Sequence, residues 1–137
     1  MSLSPEVVDR RPRILIVDDE RKNRQLMEVM LRPEGFLLMT AASGEEALAM
    51  VAQQPPDLIL LDIMMPGMDG IETCRRIRGH PPTAATPIVM FSALSSDDDI
   101  ERARVAGANH LITKPFNLVG LGSVVKTFFP ADVGSTR

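Results

Sequence analysis

The sequence predicts a doubly wound α/β domain: a parallel five-stranded sheet in strand order 2-1-3-4-5, with helices on both faces. Three observations lead there. Short apolar runs rich in Leu, Ile and Val recur along the chain, bounded by Pro, Gly or polar residues. Segments with apolar residues at helical spacing separate each run from the next. Parallel neighbours in a sheet need crossovers, and those helices supply them.

The elements follow in order. Residues 1–12 are polar, carry two prolines and show no period, so they read as a mobile arm. Arg13-Ile14-Leu15-Ile16-Val17 is a first buried strand, and it runs straight into Asp18-Asp19-Glu20. From Lys22 to Leu31, Leu26, Met27, Met30 and Leu31 fall at helical spacing, and Pro33 and Gly35 stop that helix. Phe36 to Ala42 is a second strand. Ser43 and Glu46 form a capping-box pattern at the head of a helix whose face is Ala47, Leu48, Val51 and Ala52. Pro55-Pro56 ends it. Asp57-Leu58-Ile59-Leu60-Leu61 is the third strand and ends on Asp62.

Pro66, Gly67, Asp69 and Gly70 then turn the chain into a helix from Ile71 to about Arg78, with Ile71, Cys74 and Ile77 on one side. Pro87 to Phe91 is a fourth strand, ending at Ser92-Ala93. Ser95, Ser96 and Asp97-Asp98-Asp99 open the next helix, where acids complement the dipole. Its apolar stripe is thin, Ile100 and Ala103, and Gly107 caps it. His110 to Thr113 is a short fifth strand before Lys114-Pro115. The last helix runs from about Leu118 to Phe128, with Leu118, Leu121, Val125 and Phe128 along one face. Residues 130–137 read as a tail or linker, leaving 13–129 as the folded unit.

Composition narrows the function classes. The chain has 137 residues, enough for one domain with a real core. A net charge of −3 argues against direct nucleic-acid binding. The single cysteine allows no internal disulfide, so a reducing, cytoplasmic setting is expected. No apolar run approaches the length of a membrane span, and no signal-peptide core is present.

In an open parallel sheet, ligands bind at the carboxyl ends of strands. The predicted order brings Asp18, Asp19, Asp62, Ser92 and Lys114 to one such edge. Carboxylates so gathered resist ionising beside one another, and a hard divalent cation resolves the conflict. Cation, ammonium, hydroxyl and a carboxylate nucleophile together describe phosphoryl transfer. Asp69 reads as turn chemistry, Asp97 to Asp99 as solvated helix-start charge, and Cys74 as a core thiol. His80 and His110 lack metal-ligand spacing.

From residue 13 to about 129 the chain resembles the receiver domains of two-component response regulators. The resemblance rests on Asp18-Asp19 after strand 1, Asp62 with the following Met-Met-Pro-Gly-Met-Asp-Gly, Ser92-Ala93 after strand 4, and Lys114-Pro115 after strand 5. It implies a flavodoxin-like (βα)5 sandwich. It implies that Asp62 accepts a phosphoryl group from a sensor histidine kinase, a phosphotransfer protein or a small phosphodonor. Asp19, Asp62 and the Met64 backbone carbonyl would hold Mg²⁺ or Mn²⁺, with Asp18 acting largely through water. Lys114 would pair with the phosphate, Ser92 would turn inward to it, and the Ala93 amide would add a donor. A cis Lys114-Pro115 peptide is expected as well. Phosphorylation would change the surface offered to a downstream output domain or protein. The fourth helix, fifth strand and fifth helix would form that surface, or a homodimer contact, and Val105 and Phe129 are expected to lie exposed. The domain would be regulatory, catalysing only its own phosphorylation and slow dephosphorylation.

Two departures from the family pattern stand out. Leu111 occupies the place of the usual inward-turning aromatic, three residues before Lys114. Met64 and Leu94, two residues after Asp62 and Ser92, are apolar and cannot orient an attacking water, which predicts slow self-dephosphorylation. A Mg²⁺-dependent phosphohydrolase is the competing enzyme reading. It calls for a second acid where Met64 stands. A third reading, a degenerate binding module, calls for missing acids or a missing lysine, and all are present. The Met-rich loop resembles receivers attached to cyclic-dinucleotide or similar signalling outputs. A single-domain regulator and a receiver from a longer chain both remain open.

Overall fold

The computed structural model describes residues 11–93, 96–113 and 118–129. Five parallel strands lie in the order β2-β1-β3-β4-β5: β1 (Arg13–Val17), β2 (Leu37–Ala41), β3 (Leu58–Asp62), β4 (Ile88–Ser92) and β5 (His110–Thr113). Between and after them come α1 (Arg21–Leu31), α2 (Gly44–Gln53), α3 (Gly70–Arg78), α4 (Asp97–Ala106) and α5 (Leu118–Lys126). The expected order and element types are those observed. Short 3₁₀ turns at Arg32–Glu34 and Pro81–Thr83 occupy the proline-marked breaks.

Side-chain alternation along the strands divides the core in two. Leu15 and Val17 of β1 point to the face covered by α2, α3 and α4, with Val51, Cys74, Ile77 and Ala103. Ile14 and Ile16 point to the face covered by α1 and α5, with Met27, Leu31, Leu121 and Val125. Every residue of β3 and β4 is buried, as expected for central strands covered on both faces. β5 closes one edge: His110 and Thr113 are exposed, and Leu111 and Ile112 are half-buried on opposite faces.

Some faces differ in detail from expectation. Leu26, Ala52 and Ile100 turn outward, with Leu26 46% and Ile100 45% exposed. α4 is therefore held by Ala103 and Ala106 alone among its buried residues. Val105 is exposed, but Phe129 is not a free surface residue. Its ring lies 5.5 Å from that of Phe36 and packs on the α1–α5 side of the core. The Ser43–Glu46 box also forms with a shift. Ser43 Oγ accepts from the Glu46 amide at 3.1 Å, while Glu46 Oε1 reaches back to the Ala42 amide, one residue beyond the cap.

Candidate functional site

Register alone brings the acids together. Val17 pairs with Leu61, so Asp18 leaves β1 level with Asp62 at the end of β3. Asp62 pairs with Phe91, and Ser92 follows as the last residue of β4. Asp18, Asp62 and Ser92 are all buried, whereas Asp19 is exposed. One carboxylate oxygen from each of Asp18, Asp19 and Asp62 lies within 4.8 Å of the others. No other group of three or more His, Cys, Asp or Glu among the described residues is placed to hold a metal ion.

The local chain around the two buried acids is built alike. Asp18 Oδ1 accepts from the Glu20 amide at 2.9 Å, and Asp62 Oδ1 accepts from the Met64 amide at 3.3 Å. In each case a carboxylate folds the next two residues into a turn and takes up an amide that the strand no longer pairs. Asp18 Oδ2 also accepts from Asn23 Nδ2 at 3.3 Å, and the Asp18 carbonyl accepts from Arg24 Nη1 at 2.7 Å. Asn23 and Arg24 carry no motif in the sequence. Their only signal was their place in the first turns of α1, directly after the paired acids.

The donor set fits a divalent cation. Three carboxylates supply hard oxygens only, at one strand edge, and their mutual repulsion is what such an ion relieves. A Mg²⁺-type ion keeps several waters and needs few protein ligands, so three acids with one of them exposed suffice.

Other expected residues fall as follows. Met64 is in the turn leaving β3, with its side chain 61% exposed. Ala93 is exposed just past β4. Lys114, Pro115 and the expected cis peptide lie outside the described residues, as do Leu94 and Ser95. Thr113, which precedes Lys114, pairs with Ser92. Asp69 caps α3, its Oδ1 accepting from the Glu72 amide at 2.9 Å. Ser96 caps α4 in the same way from Asp99. Cys74 is buried, its thiol donating to the Ala106 carbonyl at 3.3 Å, and burial pushes its pKa up.

Residues 14–126 match the family model for the response regulator receiver domain. This chain belongs to that family. Relatives agree with the match. Over 115 residues, 84% of this chain, the receiver is 43% identical to the response regulator PleD of Caulobacter vibrioides, of which it spans 25%. It is 33% identical to the protein PilG of Pseudomonas aeruginosa over 119 residues, 87% of this chain and 88% of that one. Among solved structures, the chemotaxis protein CheY4 of Vibrio cholerae superposes with a TM-score of 0.84. That pair is 31% identical and covers 87% of this chain and 99% of the other. The receiver domain of a signal transduction histidine kinase from Syntrophus aciditrophicus gives 0.81 at 33% identity, covering 92% and 95%. The flavodoxin-like fold and the two-component signalling class follow for this receiver. Among its described residues, no helix is long and apolar enough to cross a membrane.

Proposed function

We propose that this receiver is a phosphorylation-controlled switch whose phosphoacceptor is Asp62. The observation that carries the reading is the grouping of Asp62 with Asp18 and Asp19 within 4.8 Å at the carboxyl edge of the sheet. A carboxylate oxygen of Asp62 attacks the phosphorus of a phosphohistidine or of acetyl phosphate. A P–O bond to Asp62 forms as the bond to the imidazole or acetate breaks, and the leaving group departs with the electron pair. The product is an acyl phosphate.

Asp18, Asp19 and Asp62, with the Met64 backbone carbonyl, are the residues that would hold Mg²⁺ or Mn²⁺. When bound, that ion supplies positive charge to the acids and to the phosphoryl oxygens. Asp18, just past β1, is fixed by the Glu20 amide of the following turn, so little reorganisation of that acid is needed when charge builds on the transferring group. Lys114 is assigned to the phosphate as a cation, and Ser92 and the Ala93 amide as donors.

Residues 13–129 form the switching unit. Its phosphate comes from a sensor histidine kinase or a phosphotransfer protein. Its readout passes to a downstream domain or protein, or to a second copy, through α4, β5 and α5. The apolar Leu111 is already half-buried on the α4 side, so switching here rests on Ser92 and the segment after it.

Intact mass after incubation with acetyl phosphate tests the reading. A single phosphoryl adduct that needs Mg²⁺ and is lost in Asp62→Asn is the expected result. An adduct that persists in Asp62→Asn would assign the phosphate elsewhere. No adduct in the parent, either with a phosphorylated histidine donor or with acetyl phosphate, would sink the proposal.

A further inference from the structure

The four helices whose N-termini are described do not begin alike. At α2, α3 and α4 the cap side chain accepts from the amide three residues on: Ser43 from Glu46, Asp69 from Glu72, Ser96 from Asp99. At α1 the cap residue is Glu20, and its side chain makes no such bond. The residue in the third helical position, Asn23, does not reach back to the cap amide either. Its Nδ2 lies 3.3 Å from Asp18 Oδ2 and 2.9 Å from Glu20 Oε1. A primary amide carries two hydrogens, so one nitrogen serves two carboxylates.

The consequence falls on Asp18. Both of its carboxylate oxygens now accept from fixed donors, Oδ1 from the Glu20 amide and Oδ2 from Asn23. Its carbonyl is held separately by Arg24. Residues that hydrogen-bond a ligating carboxylate set its orientation, and so set metal affinity.

We infer that Asn23 is a positioning residue for the acid cluster: its side-chain amide fixes the Asp18 carboxylate in the orientation that takes up a divalent cation. It acts through Asp18 and touches neither the cation nor the transferring phosphoryl group. The inference rests on the proposed phosphoacceptor reading.

The test uses the full chain, with Asn23→Ala and Asn23→Ser beside the parent. Mn²⁺ alone is titrated, and free Mn²⁺ is read by its electron paramagnetic resonance signal. Asn23→Ala is expected to raise the dissociation constant about ten-fold, and Asn23→Ser, which keeps a shorter donor, by about three-fold. With acetyl phosphate, the Mg²⁺ concentration for half-maximal rate should rise in parallel, while the rate at saturating Mg²⁺ stays within about two-fold of the parent. Melting in the presence of a chelator reports any purely structural effect. A lowered melting temperature with unchanged Mn²⁺ affinity in both variants overturns the inference and leaves the proposed function standing. Should Asn23→Ala fail to fold, Asn23→Ser decides by the same criterion. A parent that binds no Mn²⁺ and forms no adduct removes the proposed function, and the inference with it.

Discussion

Gly70, the first residue of α3, lies directly against the carbonyl group of Asp62. A Cβ at this position would sit 2.7 Å from Ile63 Cα and closer still to the Asp62 carbonyl oxygen. The Gly70 amide donates to the Ile63 carbonyl at 2.8 Å, so the helix start is fastened to the strand end it abuts. This glycine answers a close approach of two backbones. Gly67, three residues earlier, answers a different need, a left-handed φ of 71° in open space. The two glycines therefore predict different outcomes. Gly70→Ala must push α3 off β3 and is expected to cost about 1–3 kcal/mol in urea unfolding. Because the displaced backbone carries Asp62, its rate of phosphorylation by acetyl phosphate should fall as well. Gly67→Ala should cost about 1 kcal/mol through backbone strain and leave that rate nearly unchanged. Equal rates in the two variants would show that the Gly70 contact does not position Asp62.

Arg78 ties the far end of α3 to two other stretches, residues 83–86 and 107–109. Its guanidinium donates to the carbonyls of Gly107, Thr83 and Thr86 and to Asn109 Oδ1, at 2.5–3.2 Å. Asn109 Oδ1 also accepts from the Ile88 amide, so the cluster reaches the first residue of β4. No short aliphatic or point-charge residue can replace a planar fork with this many donors. Arg78→Met is expected to destabilise by about 2–4 kcal/mol, because several part-buried acceptors lose a charged donor together. Arg78→Lys should recover less than half of that. Urea midpoints measure both, and faster exchange of the Ile88 amide in Arg78→Met would place the damage at the start of β4.

The legible and illegible parts of this molecule divide along physical lines. The strands could be read because β3 and β4 are buried on both faces, which leaves near-continuous apolar runs between breaks. The acids could be read because each stands at or just past the end of such a run, at the strand edge where ligands bind. Asn23, Gly70 and Arg78 could not be read in the same way. Each acts on backbone or carboxylate atoms of another segment, and a polar residue in a helix turn looks the same whether it meets solvent or a strand end. Ile100 shows the converse. It stands at helical spacing from Ala103, yet α4 sits on the sheet through its two buried alanines and leaves Ile100 outside. Spacing gives a face; how deeply that face enters the core depends on partners distant in sequence.

Cys74 predicts a pH dependence with a definite sign. Burial raises the thiol pKa in the native state, with opposing and smaller effects from Arg78 and Arg75. The unfolded chain keeps the ordinary value. Below that value both states hold the proton, and the contribution to stability is constant. Above it the unfolded state releases its proton while the native state retains it, so stability falls as pH rises towards the raised native pKa. Unfolding by urea followed across this alkaline range should therefore show a decline that is smaller in Cys74→Ala. Thiol labelling gives a second check. At neutral pH, modification by iodoacetamide should be slow in native protein and fast in denaturant, since the thiol is buried and bonded to the Ala106 carbonyl. Rapid labelling of the native chain would contradict both expectations.

On the proposed phosphoacceptor reading, an acyl phosphate at Asp62 is expected to be long-lived. Hydrolysis requires a water held in line with the bond to Asp62, and side chains beside the acid are the groups able to orient it. Met64, two residues after Asp62, carries a thioether that offers water only a weak acceptor, and it stands 61% exposed at the turn. Leu94, the corresponding residue after Ser92, offers none. Without an oriented water, loss of phosphate depends on chance encounters with bulk solvent, and the switched state outlasts the phosphorylation event. Replacing both, Met64→Asn with Leu94→Glu, supplies an amide and a carboxylate where the parent has apolar groups. Phosphate loss, followed by the decay of the intact-mass adduct after removal of acetyl phosphate, is then expected to quicken by about ten-fold or more, still below the full effect of a well-placed general base. Because Met64 is mostly solvent-exposed, the first exchange should leave thermal stability within about 0.5 kcal/mol of the parent. A double variant that holds its phosphate as long as the parent would mean that water access to Asp62 is governed by something other than these two side chains.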